Sequence, residues 1–219
     1  GLGRGVHVVL LGGVLRWWWC GTAPMVDRTF YLCKTIPMIS KMDAAPPRPS
    51  SARARLLEAA TQLFYSEGIH WVGDDRIIEE AGVTRATMYK QFAGKEGLVL
   101  AYLEGEDQGL RALFAQAAQA SDDPAVLLDL VVSGIEQDIR DRHTRGCPFI
   151  NAAAEYPDQG PVRALIADHR EWFRETLRQL AEGAGLRDAE GVAASLVLLR
   201  DAALVGGYLD GQDRVGPAF

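Results

Sequence analysis

The helical periodicity of the chain from Ser51 onward constrains its fold more than any other feature. Apolar residues recur every three to four positions almost throughout, which is the pattern of helices with one buried face. Period-two alternation is nearly absent, and its one candidate, GIHWVG at 68–73, is better explained as a connector. The pattern therefore predicts an all-α fold after residue 50.

Stripes of apolar residues and the breaks between them divide this region into successive helices. The first follows Ser50 or Ser51 as N-cap, and Gly68 fits the left-handed position after its end. The segments SDDP, HTRGCP, YPDQGP and GAGLRD interrupt the pattern further on. After the first helix, helices are predicted over about 74–81, 95–120 and 124–141. A short helix is predicted between HTRGCP and about Tyr156, and two longer ones are predicted along the stripe 162–180 and over about 188–209.

Residues 1–50 do not share the helical pattern. Arg4 and the apolar run 8–15 imitate a signal peptide, but the run is short, and Trp17–Trp19 stand where small cleavage-site residues belong. The run is also shorter than the about 20 apolar residues of a membrane span, and DAAPPRPSS at 43–51 is typical of a linker. We expect residues 1–50 to be an extension or disordered segment outside the native fold. One explanation is that the sequence begins upstream of the natural start of the protein. A membrane anchor is the alternative.

Charge and cysteine content narrow the classes of partner and compartment. The formal net charge is −6, and the acidity belongs to residues 98–219, which carry 11 basic and 20 acidic side chains. This balance argues against polyanion binding by the whole surface but permits a local basic face. The cysteines, Cys20, Cys33 and Cys147, are odd in number and widely spaced, which indicates free thiols in a reducing cytoplasm.

The last predicted helix is apolar on nearly every side. Between Val192 and Leu209 only Ser195, Arg200 and Asp201 are clearly polar. The two charges argue against a membrane span, and a helix that is apolar all round must be covered all round. It is therefore either the centre of a monomeric core or the seam of a dimer, and we favour a homodimer through about 160–210.

The segment EEAGVTRATMYKQFAGKE, residues 79–96, has the turn and capping residues of a helix-turn-helix. A short helix ends before Gly82, which permits a tight turn, and Thr84 is a good N-cap for the next helix. Val83 before the cap and Met88 at the fourth helical position have the spacing of a hydrophobic staple. No acidic side chain lies in the turn or in the second helix, so the acids of this region are expected on its other faces.

The outward side chains of the second helix point to DNA recognition. Ala86 is small enough for the helix to approach a base edge, and Arg85 can make two hydrogen bonds to a guanine. The N-terminus of the next helix, at Lys95, attracts phosphate. A solvated surface helix with incidental charges is the alternative, but the turn, cap, staple and one-sided charge together favour DNA binding. Four further side chains can bind phosphate or sugar: Thr87, Tyr89, Lys90 and Gln91.

Several blocks within residues 52–99 resemble the TetR family of bacterial transcriptional regulators. LLEAATQLF, IIEEAGV, TMYKQF and KEGL match the family's pattern in order and spacing. The resemblance implies a three-helix helix-turn-helix DNA-binding domain at 51–97, followed by a helical ligand-binding and dimerisation domain at 98–219. It also implies repression at a palindromic operator that a small molecule relieves.

The resemblance further implies which residues contact DNA. The start of the first helix, with two arginines, would lie near the DNA backbone. The family's Thr-Ser before the second helix is replaced here by Val72-Gly73, which removes a phosphate-binding hydroxyl. The implied contacts are Arg53, Arg55, Thr84, Arg85, Ala86, Thr87, Tyr89, Lys90, Gln91 and Lys95.

A second block, RGCPFINAAAEYPD at 145–158, also resembles a segment of many members of this family, near the expected ligand cavity. Asn151 and Glu155 lie one helical turn apart and can present paired polar groups to an apolar ligand. Simple core packing is the alternative for each aromatic residue. The candidate ligand-binding residues are Phe114, Cys147, Phe149, Asn151, Glu155, Tyr156, Trp172 and Phe173.

The remaining titratable residues give no convincing catalytic or metal site. His143 and His169 have no second ligand at a persuasive spacing, so no metal or cofactor is expected. A small cytosolic enzyme with Cys147 as nucleophile and one of these histidines as base is the alternative function, although the spacing shows no activating arrangement. We predict a cytoplasmic regulator that is not an enzyme, with double-stranded DNA and a small-molecule effector as partners and no membrane contact.

Overall fold

A computed structural model describes residues 7–11, 14–18 and 51–215, with side chains described for 51–215. Strands β1 (His7–Leu11) and β2 (Val14–Trp18) pair in antiparallel orientation. They belong to a unit, Gly1–Pro47, that is separate from the unit containing the helices. The sequence analysis missed this hairpin, and the rest of its interpretation of residues 1–50 falls outside the described residues.

Nine helices follow in the part of the chain that the structure describes, within the unit Arg48–Phe219. Their bounds are α1 Ala52–Glu67, α2 Asp74–Ala81, α3 Arg85–Phe92, α4 Lys95–Ala120, α5 Pro124–Asp141, α6 Pro148–Glu155, α7 Pro161–Gly183, α8 Ala189–Asp210 and α9 Gln212–Val215. The predicted helices are confirmed, the segment 68–73 is a connector, and only the short α9 was not predicted. The predicted domain boundary at 97 and 98 falls inside α4 and stays a prediction. Residues 51–97 are called the head below, and 98–215 the body.

Helix boundaries in the head follow from capping. Ser51 Oγ accepts a hydrogen bond from the backbone N–H of Ala54 at 3.2 Å, and Thr84 Oγ1 accepts one from the N–H of Thr87 at 3.2 Å. Between α2 and α3, Gly82 has φ of 59°, in the left-handed region that glycine enters without steric cost. Each of these residues stands where the sequence predicted a boundary.

A small apolar core beneath α3 holds the head together. Met88 and Phe92 of α3 are buried together with Leu56 of α1, Ile77 of α2 and Leu98 of α4. A helix of eight residues is not stable alone in water, so burial of this side maintains α3. Each large apolar side chain that is fully buried contributes roughly 1.5–3 kcal/mol relative to exposure. The packing therefore decides which side of α3 remains outside.

In the body, α4, α5, α7 and α8 pack around a common apolar core, with the short α6 against α4 and α7. Ile135 and Ile139 of α5 meet Phe173 and Leu177 of α7 and Leu204 of α8 in this core. The same buried cluster continues along α4 into the head. Head and body therefore share one continuous core.

Helix α8 is apolar on most sides but is not enclosed by the body. Leu198 is 68% exposed and Leu209 is 71% exposed. Leu198, Val205 and Leu209 are spaced at i, i+7 and i+11 and therefore lie on one face of the helix. The interpretation of α8 as the centre of a monomeric core is therefore wrong, because this face lies open.

Length and composition alone would also let α8 cross a membrane. Among the described helices it is the one that passes this test, with a mean hydropathy of 1.5 over its most apolar 18 residues. It packs along α7, however, and Arg200 in its middle is buried within the body. A charged side chain at the centre of a span is costly, so this packing favours a helix of the body.

Candidate nucleic-acid interface and its connection to the body

Helix α3 presents a compact outward face next to the turn that precedes it. Arg85 and Ala86 in its first turn are exposed, as are Tyr89 and Lys90 one turn later. The small side chain of Ala86 leaves room for a base edge, and cationic and hydroxyl groups flank it. The other predicted contacts on α3 are half-buried at the edges of this face: Thr87 and Gln91.

The hydroxyl groups at the start of α3 form its cap. Thr84 Oγ1 accepts from the N–H of Thr87 and lies 2.8 Å from Thr87 Oγ1. Each hydroxyl has one donor and two acceptor lone pairs, so the pair fixes the helix start and one of its hydroxyl protons remains for a phosphate oxygen. Loss of such a cap typically costs about 1 kcal/mol.

Two carboxylates of α2 lie beside this outward face. Arg85 Nη2 donates to Asp75, and Arg85 Nη1 lies 3.8 Å from Asp74 Oδ2. The hydroxyl of Tyr89 donates to Asp74 Oδ2 at 3.2 Å. The expectation that the acids of this region lie on other faces is therefore wrong for these two. The turn at Gly82 folds the first turn of α2 against the first turn of α3, and the sequence spacing alone hid this contact.

Arginines at the start of α1 brace the ends of α2 and α3. Arg53 Nη1 donates to the carbonyl oxygen of Gln91 at 2.9 Å, and its guanidinium lies 4.2 Å from the centre of the Phe92 ring. Arg55 Nε donates to the carbonyl oxygen of Ala81 at 2.9 Å. Carbonyls in the last turn of a helix lack intrahelical partners, so both arginines stabilise helix ends in addition to any contact with DNA.

The segment that leads into α6 is hydrogen-bonded to α1. The backbone N–H of Arg145 donates to Tyr65 Oη at 2.8 Å, and Tyr65 Oη donates to the carbonyl of Gly146 at 3.1 Å. Arg145 Nη1 also donates to the backbone carbonyl of Tyr65 at 2.9 Å. These contacts tie the start of α6 to the last turn of α1.

Glu155, the last residue of α6, is bound to the connector between α1 and α2. Its carboxylate accepts from the backbone N–H of Ile69 at 2.9 Å and of His70 at 2.5 Å, and lies 2.9 Å from His70 Nδ1. Burial alone would raise the pKa of Glu155, but the hydrogen bonds from His70 and Ile69 outweigh it and lower the pKa. We call the contacts at both ends of α6 the α6 joint, which no sequence pattern indicated.

Comparison with known proteins identifies the family that has this arrangement. The family model described as bacterial regulatory proteins, tetR family, matches residues 56–102. A crystal structure of a TetR-family transcriptional regulator from Streptomyces coelicolor is 45% identical, with 76% of this chain and 89% of that chain covered and a TM-score of 0.73. The chain belongs to the TetR family. It is therefore a DNA-binding transcriptional regulator with a helix-turn-helix head.

Two further relatives show how far the TetR-family similarity extends. LmrA, an HTH-type transcriptional regulator from Bacillus subtilis (strain 168), is 28% identical over 165 residues, which cover 72% of this chain and 85% of LmrA. A protein from Saccharomonospora viridis, described as a transcriptional regulator and solved in complex with choline, is 20% identical. It has a TM-score of 0.66, with 76% of this chain and 92% of that chain covered, and shares the fold. The likeness thus extends beyond the head into the helical body.

The aromatic residues predicted to bind a ligand pack against one another in the TetR-family body. Phe149 stacks on His169 with ring centroids 3.6 Å apart. Phe114 lies edge-on to Trp172 at 5.4 Å and to Phe173 at 6.0 Å. Offset and edge-to-face aromatic pairs stabilise a core beyond the area that they bury. In this structure these side chains form a packed cluster.

The predicted polar pair of the ligand cavity is separated. Asn151 donates through Nδ2 to the backbone carbonyl of Arg145 at 3.2 Å. Glu155 belongs to the α6 joint, and the Tyr156 ring lies 5.7 Å from the ring of His70. The expectation that Asn151 and Glu155 face one ligand is therefore wrong, because Glu155 is held by the head.

A ligand-sized space lies in a cleft of about 400 Å³ between α6, α7 and α8. Arg170 pairs with Asp201 across it at 2.8 Å, while Arg163 forms no ion pair within residues 51–215. Inside the body, the space beside His143 is only about 10 Å³, which is room for about one water molecule. The cleft contains one predicted ligand residue, Phe149, and its full lining is Phe149, Ile150, Ala153, Arg163, Ile166, Ala167, Arg170 and Asp201.

A buried polar network lies next to the small interior space. His143 Nδ1 is 2.7 Å from Asp138 Oδ2, and Nε2 is 3.3 Å from Glu106 Oε2. Burial alone would lower the pKa of His143, but hydrogen bonds to the two carboxylates outweigh it and raise the pKa. The Nδ1 atom of His169 lies 2.8 Å from Asp107 Oδ1. The pKa of His169 is nevertheless lowered, because burial lowers it more than Asp107 raises it. No group of three His, Cys, Asp or Glu side chains among the described residues is arranged to hold a metal.

Replacing His143 with Gln is expected to remove a pH-dependent part of the stability. Because the folded-state pKa of His143 is raised, its contribution is fully present below the ordinary value of about 6.5 and is lost as the pH rises through the folded pKa. The difference in free energy of unfolding between wild type and His143→Gln, measured by urea denaturation from about pH 5.5 to about pH 8.5, should shrink as the pH rises. His169→Gln should show the opposite trend, because its pKa is lowered. A His143→Gln difference that grows with pH would contradict the assignment.

Proposed function

We propose that this TetR-family regulator is a homodimeric repressor that binds a palindromic operator through α3 and is released when a small molecule binds the body. The capped α3, with Met88 and Phe92 buried and its other side open, is the observation that carries the proposal. Two copies related by a twofold axis would present two such helices to successive major grooves. The symmetry of the operator would then mirror the symmetry of the dimer.

The proposed base contacts come from the first turn of α3, and the proposed phosphate contacts surround it. Arg85 would make two hydrogen bonds to a guanine, and Ala86 would contact a thymine methyl. Lys90 and Lys95 form no ion pair within residues 51–215, so no carboxylate there competes with phosphates for their ammonium groups. Lys95 also begins α4, whose free N–H groups add positive potential. Further backbone contacts are proposed for Arg53, Arg55, Thr84, Thr87, Tyr89 and Gln91.

A second copy of the chain would cover the open apolar face of α8. Leu198, Val205 and Leu209 line this face, and Tyr208 beside it is also exposed. Monomeric proteins rarely leave a large contiguous apolar patch in water, and burial contributes roughly 25 cal/mol per Å². We therefore place the dimer contact on α7 and α8, within about 160–210.

We assign the effector to the cleft between α6, α7 and α8. A protein of the same fold was solved with choline, which supports a small molecule as the effector of this body. Phe149, Ile150 and Ala153 of α6 line the cleft, and Glu155 ends the same short helix at the α6 joint. A ligand that displaces α6 would therefore shift the head, because the joint links them directly.

An enzyme that uses Cys147 has less support than a regulator. Cys147 is buried, and Arg200 Nη1 lies 3.9 Å from its sulfur. Both ring nitrogens of His143 and Nδ1 of His169 face carboxylates, and within residues 51–215 neither histidine is hydrogen-bonded to Cys147. A nucleophilic cysteine needs an adjacent base and access to substrate. The relatives described above are regulators, in agreement with this geometry.

Single substitutions on α3 and α4 separate base reading from phosphate binding. Arg85→Ala should relax the preference at one base pair of each half-site by about 1–3 kcal/mol. Lys95→Ala should weaken binding to all sequences alike and reduce the salt slope by about one. Both are measured by fluorescence anisotropy with an operator selected from random duplex DNA. Arg187→Ala, which removes an exposed arginine of the body, is the control, and the proposal fails if all three variants bind alike.

Charge placed on the open face of α8 should prevent dimerisation. Leu198→Glu would bury a carboxylate in an apolar contact, which is strongly unfavourable without a partner. Leu113→Glu places the same charge at an exposed leucine of α4 and should leave the dimer intact. Sedimentation at micromolar concentration distinguishes the two states. A wild type that sediments as a monomer, or a Leu198→Glu variant that remains dimeric, would overturn the assignment.

Glu155→Gln should loosen the connector of the head. Replacing the carboxylate removes charge-assisted acceptors for the N–H groups of Ile69 and His70. Hydrogen exchange at these two amides should become about tenfold faster, which corresponds to roughly one such bond. Glu104→Gln, at an exposed carboxylate of α4, is the control. Unchanged exchange at Ile69 and His70 in Glu155→Gln would show that the joint does not hold the head.

A further inference from the structure

The two carboxylates of α2 contact two exposed side chains of α3, those of Arg85 and Tyr89. Asp75 accepts from Arg85 Nη2, and Asp74 lies 3.8 Å from Arg85 Nη1. Asp74 also accepts from the hydroxyl of Tyr89 at 3.2 Å, one helical turn further along α3. Acidic side chains of a neighbouring helix thus hold Arg85 and Tyr89, which lie one helical turn apart on the same side of α3.

Both acids lie in the first turn of α2, where the helix dipole favours them, but the ion pair of Asp75 with Arg85 adds little to stability. The side chain of Asp75 is 86% exposed and that of Arg85 is 52% exposed, and ion pairs so accessible to water contribute little to folding. A carboxylate on a surface that meets DNA is also repelled by phosphates, which lowers affinity for any sequence. These acids therefore lower the affinity for DNA in general. A benefit that would offset this loss is better discrimination between sequences.

The chemistry of guanidinium shows what the carboxylate contributes. Arginine presents five N–H donors in one plane. If Asp75 holds one N–H of Nη2, the other N–H of Nη2 and the N–H groups of Nη1 remain as donors, enough for the two acceptors O6 and N7 of guanine. Fixing this plane before DNA arrives reduces the freedom that Arg85 loses on binding.

The same carboxylate penalises incorrect sequences. At an incorrect site, the base pair opposite Arg85 offers no matching acceptors. The repulsion between Asp75 and the phosphates is then not offset by a hydrogen bond from Arg85 to the base. Asp74 acts similarly on Tyr89, whose hydroxyl it orients. Both effects lower the affinity for incorrect sites more than for the correct site.

We propose that Asp75, with Asp74 beside it, is a positioning residue that sets the sequence specificity of Arg85 and Tyr89. The proposal rests on the proposed function, because it requires α3 to enter the major groove. It assigns a role in DNA recognition to residues of α2, whose own N-cap, Gly73, has no side chain for a phosphate.

The test compares Asp75→Asn with Glu80→Gln in the full chain. Both remove one negative charge from α2, but Glu80 pairs with Arg76 instead of with α3. Dissociation constants are measured for the operator selected by wild type, for duplexes with single base-pair changes in each half-site, and for a random duplex, at two salt concentrations. Melting temperatures of the free variants establish that both are folded.

Asp75→Asn is expected to bind the random duplex more tightly than wild type, and to lose about fivefold or more of its discrimination at one base pair of each half-site. Asp75→Glu, which keeps a carboxylate within reach, should recover part of that discrimination. Glu80→Gln should raise affinity for all duplexes in parallel and keep the wild-type preference. If Asp75→Asn behaves like Glu80→Gln, the positioning role is refuted while the proposed function stands. If wild type selects no operator, the proposed function itself fails.

Discussion

Helix α3 has eight residues, too few to be stable alone in water, so its existence depends on the burial of Met88 and Phe92. This one-sided burial decides which side chains face outward. Arg53 stacks over the Phe92 ring and donates to the carbonyl of Gln91, so these contacts fix the packed side at the C-terminal end of α3. Because the helix cannot rotate without exposing its core, Arg85 and Ala86 are presented to solvent in one defined orientation. The proposed reading of DNA by α3 depends on that constraint.

Features governed by local rules were predictable from the sequence, and contacts across turns were not. Helix limits followed from caps and from the left-handed turn at Gly82, which depend on a few adjacent residues. The pairing of Asp75 with Arg85 depends on how two helices fold back on each other, and linear spacing suggested the opposite. The hairpin of β1 and β2 was missed although two glycines, Gly12 and Gly13, separate two apolar runs, which is a turn signal.

The helices of the body were predicted correctly, whereas the predicted ligand-binding residues, of which Phe149 lines the cleft, stay a prediction. A buried aromatic residue has the same sequence signature whether it packs on its neighbours or lines a pocket, and Phe114 and Trp172 pack. The cleft depends on the fit of three helices that are far apart in sequence, so Arg163 and Asp201 carried no signal as neighbours. Glu155 contacts Ile69, which lies 86 positions earlier in the chain, and no periodic pattern indicates such a contact. In the proposed mechanism, this long-range joint connects the effector cleft to the head.

Selection of bound sequences from a random duplex pool by the intact wild-type protein tests the central claim most directly. If α3 reads DNA in a twofold dimer, the enriched sites are inverted repeats. They remain enriched when the salt concentration is raised, because base contacts do not depend on counterion release. Enrichment of a single unrepeated motif would contradict the dimer. An absence of any enriched sequence, with binding that disappears at higher salt, would contradict sequence reading by α3 altogether.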